Sequence, residues 1–434
     1  MKAKNKKTVE LGPKQLQIPK DWKYLTFLDV AKNEKNSIID GPFGSHLKVS
    51  EFVNKGVPVI ELKHLRSNLS VKNIDRFITN EKLNEIKRSK VQNGDIVISK
   101  TGTLGLNAIV PEEFPEAMMT SRLAKISLNQ GKAVNIYFKY WLDFLKQKRF
   151  WEIKGVGTTM LILNLDIISN APVILPPLPE QEKIAEVLST VDEAIEKTDK
   201  IIEESKLTKK GLMQDLLTKG IDHSEFKEVE LGPKTLEIPK DWNMVSFDGS
   251  LDYSGGSQPP KRTFKNKPKE GYIRLYQIRD YTGSSGNPVY IPKEKASKTT
   301  KNGDILIGRY GASLGEIFFA EKGAYNVAMV KVEIKDEEIN KNYLYYFLKS
   351  KLFQDRLSIG VRAAQSGFNK SDWNSFGFIK PPLPEQKEIA EILSSVDQRI
   401  KKEKEYKEKL KSLKKGLMQD LLTGKVRVNN LINS

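Results

Sequence analysis

Cysteine is absent from this chain of 434 residues, and histidine occurs only three times. A chain without cysteine forms neither disulfides nor thiolate metal sites, which fits a reducing compartment. His46, His64 and His223 are too few and too scattered to predict a histidine-based metal centre. Long apolar runs are missing as well, and the basic start at residues 1–7 is not followed by an apolar segment. We therefore expect no signal peptide and no membrane span, and we predict a cytoplasmic protein.

Positive charge is abundant. The chain has 72 Lys and Arg residues against 55 Asp and Glu, which gives a net charge of +17 and a pI of about 9.4. Such an excess favours a polyanionic partner, of which nucleic acid is the most common. A solvated, lysine-rich surface is the alternative explanation of the same charge. The hydrophobic content of 38% is sufficient for folded cores, and the length predicts roughly two to four domains.

The most informative pattern is an internal repeat. Residues 176–181 have the sequence Pro-Pro-Leu-Pro-Glu-Gln and residues 211–218 have the sequence Gly-Leu-Met-Gln-Asp-Leu-Leu-Thr, and both recur 205 residues later. Residues 18–22, Ile-Pro-Lys-Asp-Trp, recur 220 residues later. The segment between the first two motifs therefore keeps its length, whereas the region before it is shorter by 15 residues in the second copy. The chain contains two copies of one unit whose first part varies.

Each copy ends in a predicted long helix. A proline and a glutamate in the first turn, Pro179 and Glu180, suit a helix start, and Gly220 and Gly424 suit the helix ends. Apolar residues three to four positions apart form a seam on each helix: Ile184, Leu188, Val191, Ile195, Ile202, Leu212 and Leu216, then Ile389, Leu393, Val396, Ile400, Leu410, Leu417 and Leu421. The seams predict an antiparallel coiled coil, although polar residues at 198, 205 and 209 weaken the first one.

The length of these helices is consistent with a spacer. About 40 residues at about 1.5 Å each span roughly 60 Å. That distance corresponds to about 18 base pairs at roughly 3.4 Å per pair. A simple dimerisation arm is the alternative, but a copy after each globular region favours a spacer.

The regions before the helices have a mixed composition of strands and helices. Apolar runs at residues 57–60, 96–98 and 171–175 predict strands, and aromatic residues spaced three to four apart predict helices at residues 136–148 and 343–353. The fold class is therefore α+β, with a pseudo-twofold internal repeat. The predicted boundaries are residues 1–175 and 221–380 for two globular domains, 176–220 and 381–425 for two spacer helices, and 426–434 for a tail.

A catalytic site is one hypothesis for the first globular region. Asp40 followed by Glu61-Leu62-Lys63 resembles the acid and Glu-x-Lys arrangement of metal-dependent nucleases, in which carboxylates hold the ion and a lysine steadies the attacking water. The second copy lacks the triplet, because Arg274 and Tyr276 align with Glu61 and Lys63. We therefore expect no catalytic residues and no metal site in this chain.

Two aligned sets of polar loops favour DNA binding instead. Arg, Lys, Gln, Asn and Ser side chains contact base edges and phosphates, and they occur in both copies after predicted strands. The candidate DNA-binding residues are Ser45, His46, Lys48, Lys63, His64, Arg66, Lys100 and Thr101 in the first copy, and Ser257, Gln258, Lys261, Arg262, Arg274, Gln277, Arg279, Arg309 and Tyr310 in the second.

Three motifs together resemble a known family. Residues 41–48, the Asn-Gly-Asp-Ile turns at 93–96 and 302–305, and the repeated Pro-Pro-Leu-Pro-Glu-Gln helix start are similar to those of the specificity subunit of type I restriction–modification enzymes. The resemblance covers both halves of the chain. It implies two target recognition domains, each recognising half of a bipartite, asymmetric DNA site, and paired helices that set the gap between the halves.

The same resemblance implies the partners and their cofactors. The helices would dock two methyltransferase subunits, which bind S-adenosylmethionine and methylate adenine at N6. Further motor-nuclease subunits, with ATP and Mg, would cleave unmodified DNA. This chain would hold no cofactor and would perform no chemistry itself. The alternative from another functional class is a stand-alone DNA-binding regulator or architectural protein with an internal coiled coil.

Overall fold

The computed structural model describes residues 6–65, 70–231, 234–283, 286–360 and 367–432. The chain forms two compact units. Unit 1 contains Met1–Asp199 and Tyr406–Ser434, and unit 2 contains Lys200–Glu405. Each unit therefore combines one globular region with part of each long helix.

Unit 1 is built mainly from short strands and one aromatic helix. Its strands are β1 (Lys6–Leu11), β2 (Lys14–Pro19), β3 (Lys23–Thr26), β4 (Ile38–Asp40), β5 (Val57–Ile60), β6 (Phe77–Ile78), β7 (Lys90–Gln92), β8 (Ile96–Ser99), β9 (Asn107–Ile109), β10 (Glu116–Met119), β11 (Leu123–Ile126) and β12 (Pro172–Leu175). Its helices are α1 (Phe27–Val30), α2 (Asn80–Glu85), α3 (Asn135–Gln147), α4 (Phe150–Lys154), α5 (Leu165–Ser169) and the start of α6 (Leu178–Leu216).

The strands of unit 1 form two four-stranded sheets and two pairs. The sheets have the orders β6-β5-β10-β7 and β4-β11-β8-β9, and the pairs are β1-β2 and β12-β3. The largest core cluster packs Trp22, Trp141 and Trp151 with α3 and with the first turns of α6. Because Ile184 and Leu188 belong to this cluster, the long helix begins as part of the domain core.

Unit 2 repeats this plan. Its strands are β13 (Phe226–Leu231), β14 (Lys234–Pro239), β15 (Asn243–Ser246), β16 (Leu251–Gly255), β17 (Tyr272–Tyr276), β18 (Tyr290–Pro292), β19 (Thr299–Thr300), β20 (Ile305–Gly308), β21 (Ile317–Phe319), β22 (Gly323–Tyr325), β23 (Met329–Ile334) and β24 (Gly377–Lys380). Its helices are α7 (Phe247–Ser250), α8 (Ile278–Thr282), α9 (Lys341–Lys349), α10 (Lys351–Gly360), α11 (Lys370–Asn374) and the start of α12 (Leu383–Leu421). The sheets, β18-β17-β22-β19 and β16-β23-β20-β21, have the same order of equivalent strands as in unit 1.

The insertions distinguish the two copies. Between β6 and β7 unit 1 contains α2, whereas unit 2 has only the 3-10 turn Lys293–Lys295 at the corresponding place. The second aromatic helix also differs from its prediction, because Ser350 ends α9 before α10 begins. The Ser350 side chain donates a hydrogen bond to the Phe347 carbonyl (2.6 Å) and so caps the helix.

The two long helices run antiparallel within each unit. In unit 1 Lys414 binds Asp192 (2.6 Å) and Lys407 binds Asp199. In unit 2 Lys209 binds Asp397 (2.6 Å). Thr198 and Ser205, two of the polar residues in the first seam, are buried because they occupy heptad positions. The Thr198 hydroxyl is satisfied within its own helix, where it donates to the Ala194 carbonyl.

Glycine ends both helices, as the sequence predicts. Gly220 and Gly424 have φ angles of +68° and +65°, in the left-handed region. A Cβ atom at Gly424 would lie 2.4 Å from Pro19, and one at Gly220 would lie 2.5 Å from the Glu385 carboxylate. The glycines thus permit both the turn and a close approach to the same unit's globular region.

Candidate nucleic-acid interface

Two loops of unit 1 leave the same end of one sheet. The residue after β4, Gly41, donates its N–H to the Leu123 carbonyl (3.0 Å), and Lys100, after β8, donates to the Arg122 carbonyl (2.8 Å). β11 begins at Leu123 and lies between β4 and β8. Because both loops flank the start of this one strand, the structure brings the loop at residues 41–48 beside the loop at residues 100–105.

These loops border an open cleft of about 660 Å³. Its lining includes Gly44, Lys63 and Thr103, which come from the three predicted loop regions. Two further cations line it, Arg76 and Arg122. Sequence reasoning missed both arginines; the Thr-Ser-Arg run at residues 120–122, directly after β10, was the available signal. Ser45, His46 and Lys48 are exposed in the loop itself, and Thr101 is half-buried.

His64 has a supporting position in this region. It is buried, its Nδ1 accepts the Glu61 N–H (3.0 Å), and its Nε2 lies 3.2 Å from an Asp75 carboxylate oxygen. Burial lowers the pKa of His64 below its usual value. A neutral ring that accepts at Nδ1 and donates at Nε2 holds Glu61 and Asp75 together. A direct contact between His64 and DNA stays a prediction.

Two candidate lysines of unit 1, Lys63 and Lys100, are already paired with carboxylates. Lys63 lies 2.7 Å from Asp75, and Lys100 lies 3.1 Å from Asp40. These pairs fix both side chains. Lys63, which lines the cleft, stays accessible to solvent, whereas Lys100 is largely buried. Arg66 lies outside the described residues, so its placement stays a prediction.

The nuclease-like motif coincides only in part with a group of potential metal ligands. Glu61, His64 and Asp75 come within 4.8 Å of one another, a group that does not include Asp40. Lys63 bridges Glu61 and Asp75, and Arg76 binds Glu61 (3.1 Å). Cations therefore occupy the carboxylates where a nuclease would need a divalent ion.

Unit 2 repeats the loop geometry with different side chains. The Gly256 N–H donates to the Met329 carbonyl (3.0 Å), and the Arg309 N–H donates to the Ala328 carbonyl (2.8 Å). These bonds are equivalent to those of Gly41 and Lys100. The loops at residues 256–262 and 309–313 consequently leave one end of the sheet together.

Three arginines of this set differ in their surroundings. Arg274 binds Asp280 (2.7 Å) and the Val289 carbonyl (2.9 Å), so it stabilises the start of α8. Arg309 donates its Nε to the Phe368 carbonyl (3.2 Å) and lies over the Tyr310 ring. Arg279 contacts the Asn287 carbonyl at 3.5 Å, and its buried Nε has no acceptor among the described residues.

The remaining residues of the second set lie on the loops. Gln258, Lys261 and Arg262 are exposed, and the last two form the 3-10 turn Lys261–Thr263. Ser257 is half-buried, and its hydroxyl has no partner among the described residues. Gln277 precedes α8, where its N–H donates to the Asp280 carboxylate (2.7 Å). No structural observation tests their contact with DNA, which remains predicted.

A Tyr–Asp–Lys triad joins the globular region to both long helices in each unit. In unit 1 the Tyr140 hydroxyl of α3 donates to Asp192 of α6 (2.7 Å), and Lys414 of α12 binds the same carboxylate and lies over the tyrosine ring. In unit 2 Tyr346, Asp397 and Lys209 repeat these contacts. Burial, together with the adjacent aspartate, raises the pKa of both tyrosines, so both remain protonated donors.

A second set of hydrogen bonds links the start of each long helix to a tryptophan. The indole N–H of Trp22 donates to Glu180 (3.1 Å), which also binds Arg427 (2.6 Å) after α12. In unit 2 Trp242 donates to Glu385 (2.8 Å), and His223, after α6, takes the place of the arginine at 2.8 Å. The repeated helix motif thus encodes a connection between domain and helix.

No helix of the described residues combines the length and apolar character that a membrane span requires. A family model described as the type I restriction modification DNA specificity domain matches residues 19–205 and 239–412. The chain is 29% identical to the MjaX type I restriction enzyme specificity subunit of Methanocaldococcus jannaschii, over 98% of each chain. It is 27% identical to the MjaVIII specificity subunit of the same organism, over 96% of this chain and 95% of the other.

Solved structures show the same fold. A chain from a type I restriction–modification system aligns with a TM-score of 0.58 and 15% identity, over 94% of this chain and 99% of that chain. The S subunit from M. genitalium aligns with a TM-score of 0.56 and 15% identity, over 92% and 96%. The regulator alternative has no support from these matches. Both copies of the repeat match the family model, and the chain therefore belongs to the specificity subunits of type I restriction–modification systems.

Proposed function

We propose that each unit recognises one half of a bipartite, asymmetric DNA site. The observation that carries this proposal is the duplicated loop geometry. The same two loops leave the same end of the same sheet in both units, while their side chains differ. Lys100 and Thr101 stand where unit 2 has Arg309 and Tyr310. Because base recognition depends on side-chain donors and acceptors, unlike loops on a common scaffold recognise unlike half-sites.

The helices set the distance between the half-sites. They are 39 residues long in both copies, and triads fix each globular region to them. A rigid attachment is required because a mobile domain would tolerate several gap lengths. The basic charge of the chain attracts DNA independently of sequence, and the loops then select the site.

The chain acts in a complex with catalytic partners. Two methyltransferase subunits bind to it, hold S-adenosylmethionine and methylate adenine N6 within the recognised site. Motor-nuclease subunits, where the system has them, use ATP and Mg. The chain itself contributes recognition, holds no cofactor and shares the cytoplasm with its DNA.

Methylome sequencing tests this proposal directly. A host that carries the methyltransferase partner is sequenced with and without the gene for this chain. We expect one bipartite adenine-methylated motif to appear only with the gene. An unchanged methylome, combined with sequence-specific DNA binding by the purified chain alone, would instead support a stand-alone regulator.

A further inference from the structure

Unit 1 has a second cleft, which shares only Leu106 with the lining of the cleft at the recognition loops. It has a volume of about 590 Å³ and lies between α3, the loop around Leu106 and the last turns of α12. We call it the lysine cleft. Its lining residues are Leu65, Leu106, Asn107, Asp143, Lys146, Gln147, Lys411, Lys414, Lys415 and Met418.

The charges of the lysine cleft are only partly neutralised. Lys414 is paired with Asp192, and Lys411 with Glu408. Lys146 and Lys415 have no ion pair within the part of the chain that the structure describes. Burial also lowers the pKa of Lys146, and an anion beside it would stabilise its charged form. The cleft thus has two cations available to an anionic ligand.

Asn107 adds a second requirement for a ligand of the lysine cleft. The side chain is buried, and its amide nitrogen donates to the Gly105 carbonyl (3.2 Å) and to Asp143 (2.9 Å). Its carbonyl oxygen is buried and accepts no hydrogen bond from any described residue. A buried acceptor without a donor destabilises a protein, so a ligand that supplies a donor is favoured here. A ligand that satisfies this cleft needs a hydrogen-bond donor as well as negative charge.

At the equivalent described positions of unit 2, apolar residues replace the polar wall of the lysine cleft. The long helix of unit 2 repeats the lysines as Lys206, Lys209 and Lys210, but Ile317 and Leu352 replace Asn107 and Lys146. The neighbouring Phe319 and Tyr345 rings stack with their centroids 3.8 Å apart. The polar cleft is therefore a property of unit 1 and not of the repeated helix motif.

We propose that the lysine cleft binds an acidic peptide segment of the methyltransferase partner, an inference that rests on the proposed function. Peptide carboxylates pair with Lys146 and Lys415, and a peptide N–H donates to the Asn107 carbonyl oxygen. Apolar side chains of the segment cover Leu65, Leu106 and Met418. A DNA phosphodiester fits less well because its phosphate oxygens only accept hydrogen bonds and bring no apolar surface. The two methyltransferase copies are consequently held unequally.

Charge reversal of the unpaired lysines tests the inference. The double variant Lys146→Glu/Lys415→Glu is compared with Lys210→Glu, which changes the lysine equivalent to Lys415 on the same helix face of unit 2. Native mass spectrometry measures the number of methyltransferase subunits bound by the full chain. We expect two copies with the wild type and with Lys210→Glu, and an affinity at least about tenfold weaker for one copy with the double variant. Equal effects of both variants would overturn the inference.

A probe independent of the partner separates the two proposals. A fluorescent peptide of alternating glutamate and leucine residues is titrated into the wild-type chain and into the double variant. If the wild type binds no methyltransferase, the proposed function fails, while peptide binding that the double variant loses still supports the cleft. Equal peptide binding by both, or a selective loss of DNA affinity in the double variant, refutes it. Lys146→Gln/Lys415→Gln replaces the double variant if circular dichroism shows misfolding.

Discussion

At the scale of single residues, the carboxylate of Asp192 connects the globular region of unit 1 to both long helices. It accepts from Tyr140 and binds Lys414, and its side chain is only 20% exposed. We expect Asp192→Asn to weaken the packing of α3 against the long helices by about 1–2 kcal/mol. The amide keeps a hydrogen bond to Tyr140 but loses the ion pair with Lys414. Hydrogen exchange measured by mass spectrometry over α3 and the end of α12 reports the local opening free energy.

A neighbouring residue provides the control for this change. Glu193 is exposed on the same helix, and Glu193→Gln removes an equal charge without touching the triad. Exchange over α3 should then match the wild type. Comparable protection loss in both variants would show that the charge of α6, and not the triad, stabilises this packing.

The buried His64 should make the stability of unit 1 depend on pH. Burial lowers the pKa of His64 from 6.5, whereas the unfolded chain takes up a proton near that pH. The unfolded state therefore binds more protons as the pH falls below about 6.5, and the stability that is complete above this pH decreases. The facing groups Glu61, Lys63 and Asp75 do not reverse this direction, since burial is the largest cause.

The measurement compares exchange of residues 61–65 at pH 7.5 and pH 5.5, corrected for intrinsic rates. Wild-type protection should decrease at the lower pH, and His64→Gln, which has no proton to gain, should show a smaller change. An equal pH response in both proteins would contradict the role assigned to His64.

The burial of His64 also illustrates what the sequence could not predict. A histidine between Lys63 and Arg66 suggests a solvent-exposed DNA contact, and only the approach of Asp75 from 11 residues away makes it a buried support. Arg76 and Arg122 were missed for the same reason, because only strand pairing brings them to the cleft that Gly44, Lys63 and Thr103 line. By contrast, the helix starts, the α3 periodicity and the glycines at φ > 0 depend on local spacing, and the structure confirms them.

At the scale of elements, the long helices should determine the gap between the half-sites. Removing residues 200–203 from α6 and 403–406 from α12 keeps Asp192 opposite Lys414 and Lys209 opposite Asp397. Four residues shorten a helix by about 6 Å, which corresponds to one or two base pairs at about 3.4 Å each. We expect the gap in the methylated motif to shorten by one or two pairs while both halves remain unchanged.

The control keeps the length and changes the composition. Substituting alanine for the same eight residues should leave the gap as in the wild type, because alanine maintains the helix. Methylome sequencing gives both results in one experiment. A gap that is unaffected by the deletion would exclude the helices as its determinant.

At the scale of the whole molecule, the repeat makes each recognition domain a replaceable segment. Residues 243–380 begin in β15 and end in β24, and these strands pair with Asn243 opposite Lys380. The same holds for residues 23–175, where Lys23 lies opposite Leu175. The ends of each segment are therefore adjacent in space, so a foreign segment can enter without moving the helices.

Exchange of residues 243–380 for the corresponding segment of another specificity subunit should change one half of the methylated motif. The other half and the gap should persist, because unit 1 with its own triad and both long helices remain. Methylome sequencing measures all three features, and the reciprocal exchange of residues 23–175 should change the opposite half. A change in both halves after a single exchange would mean that the units do not recognise DNA independently. Because the loops of the two units differ while their scaffold repeats, we expect two unlike half-sites and not a palindrome.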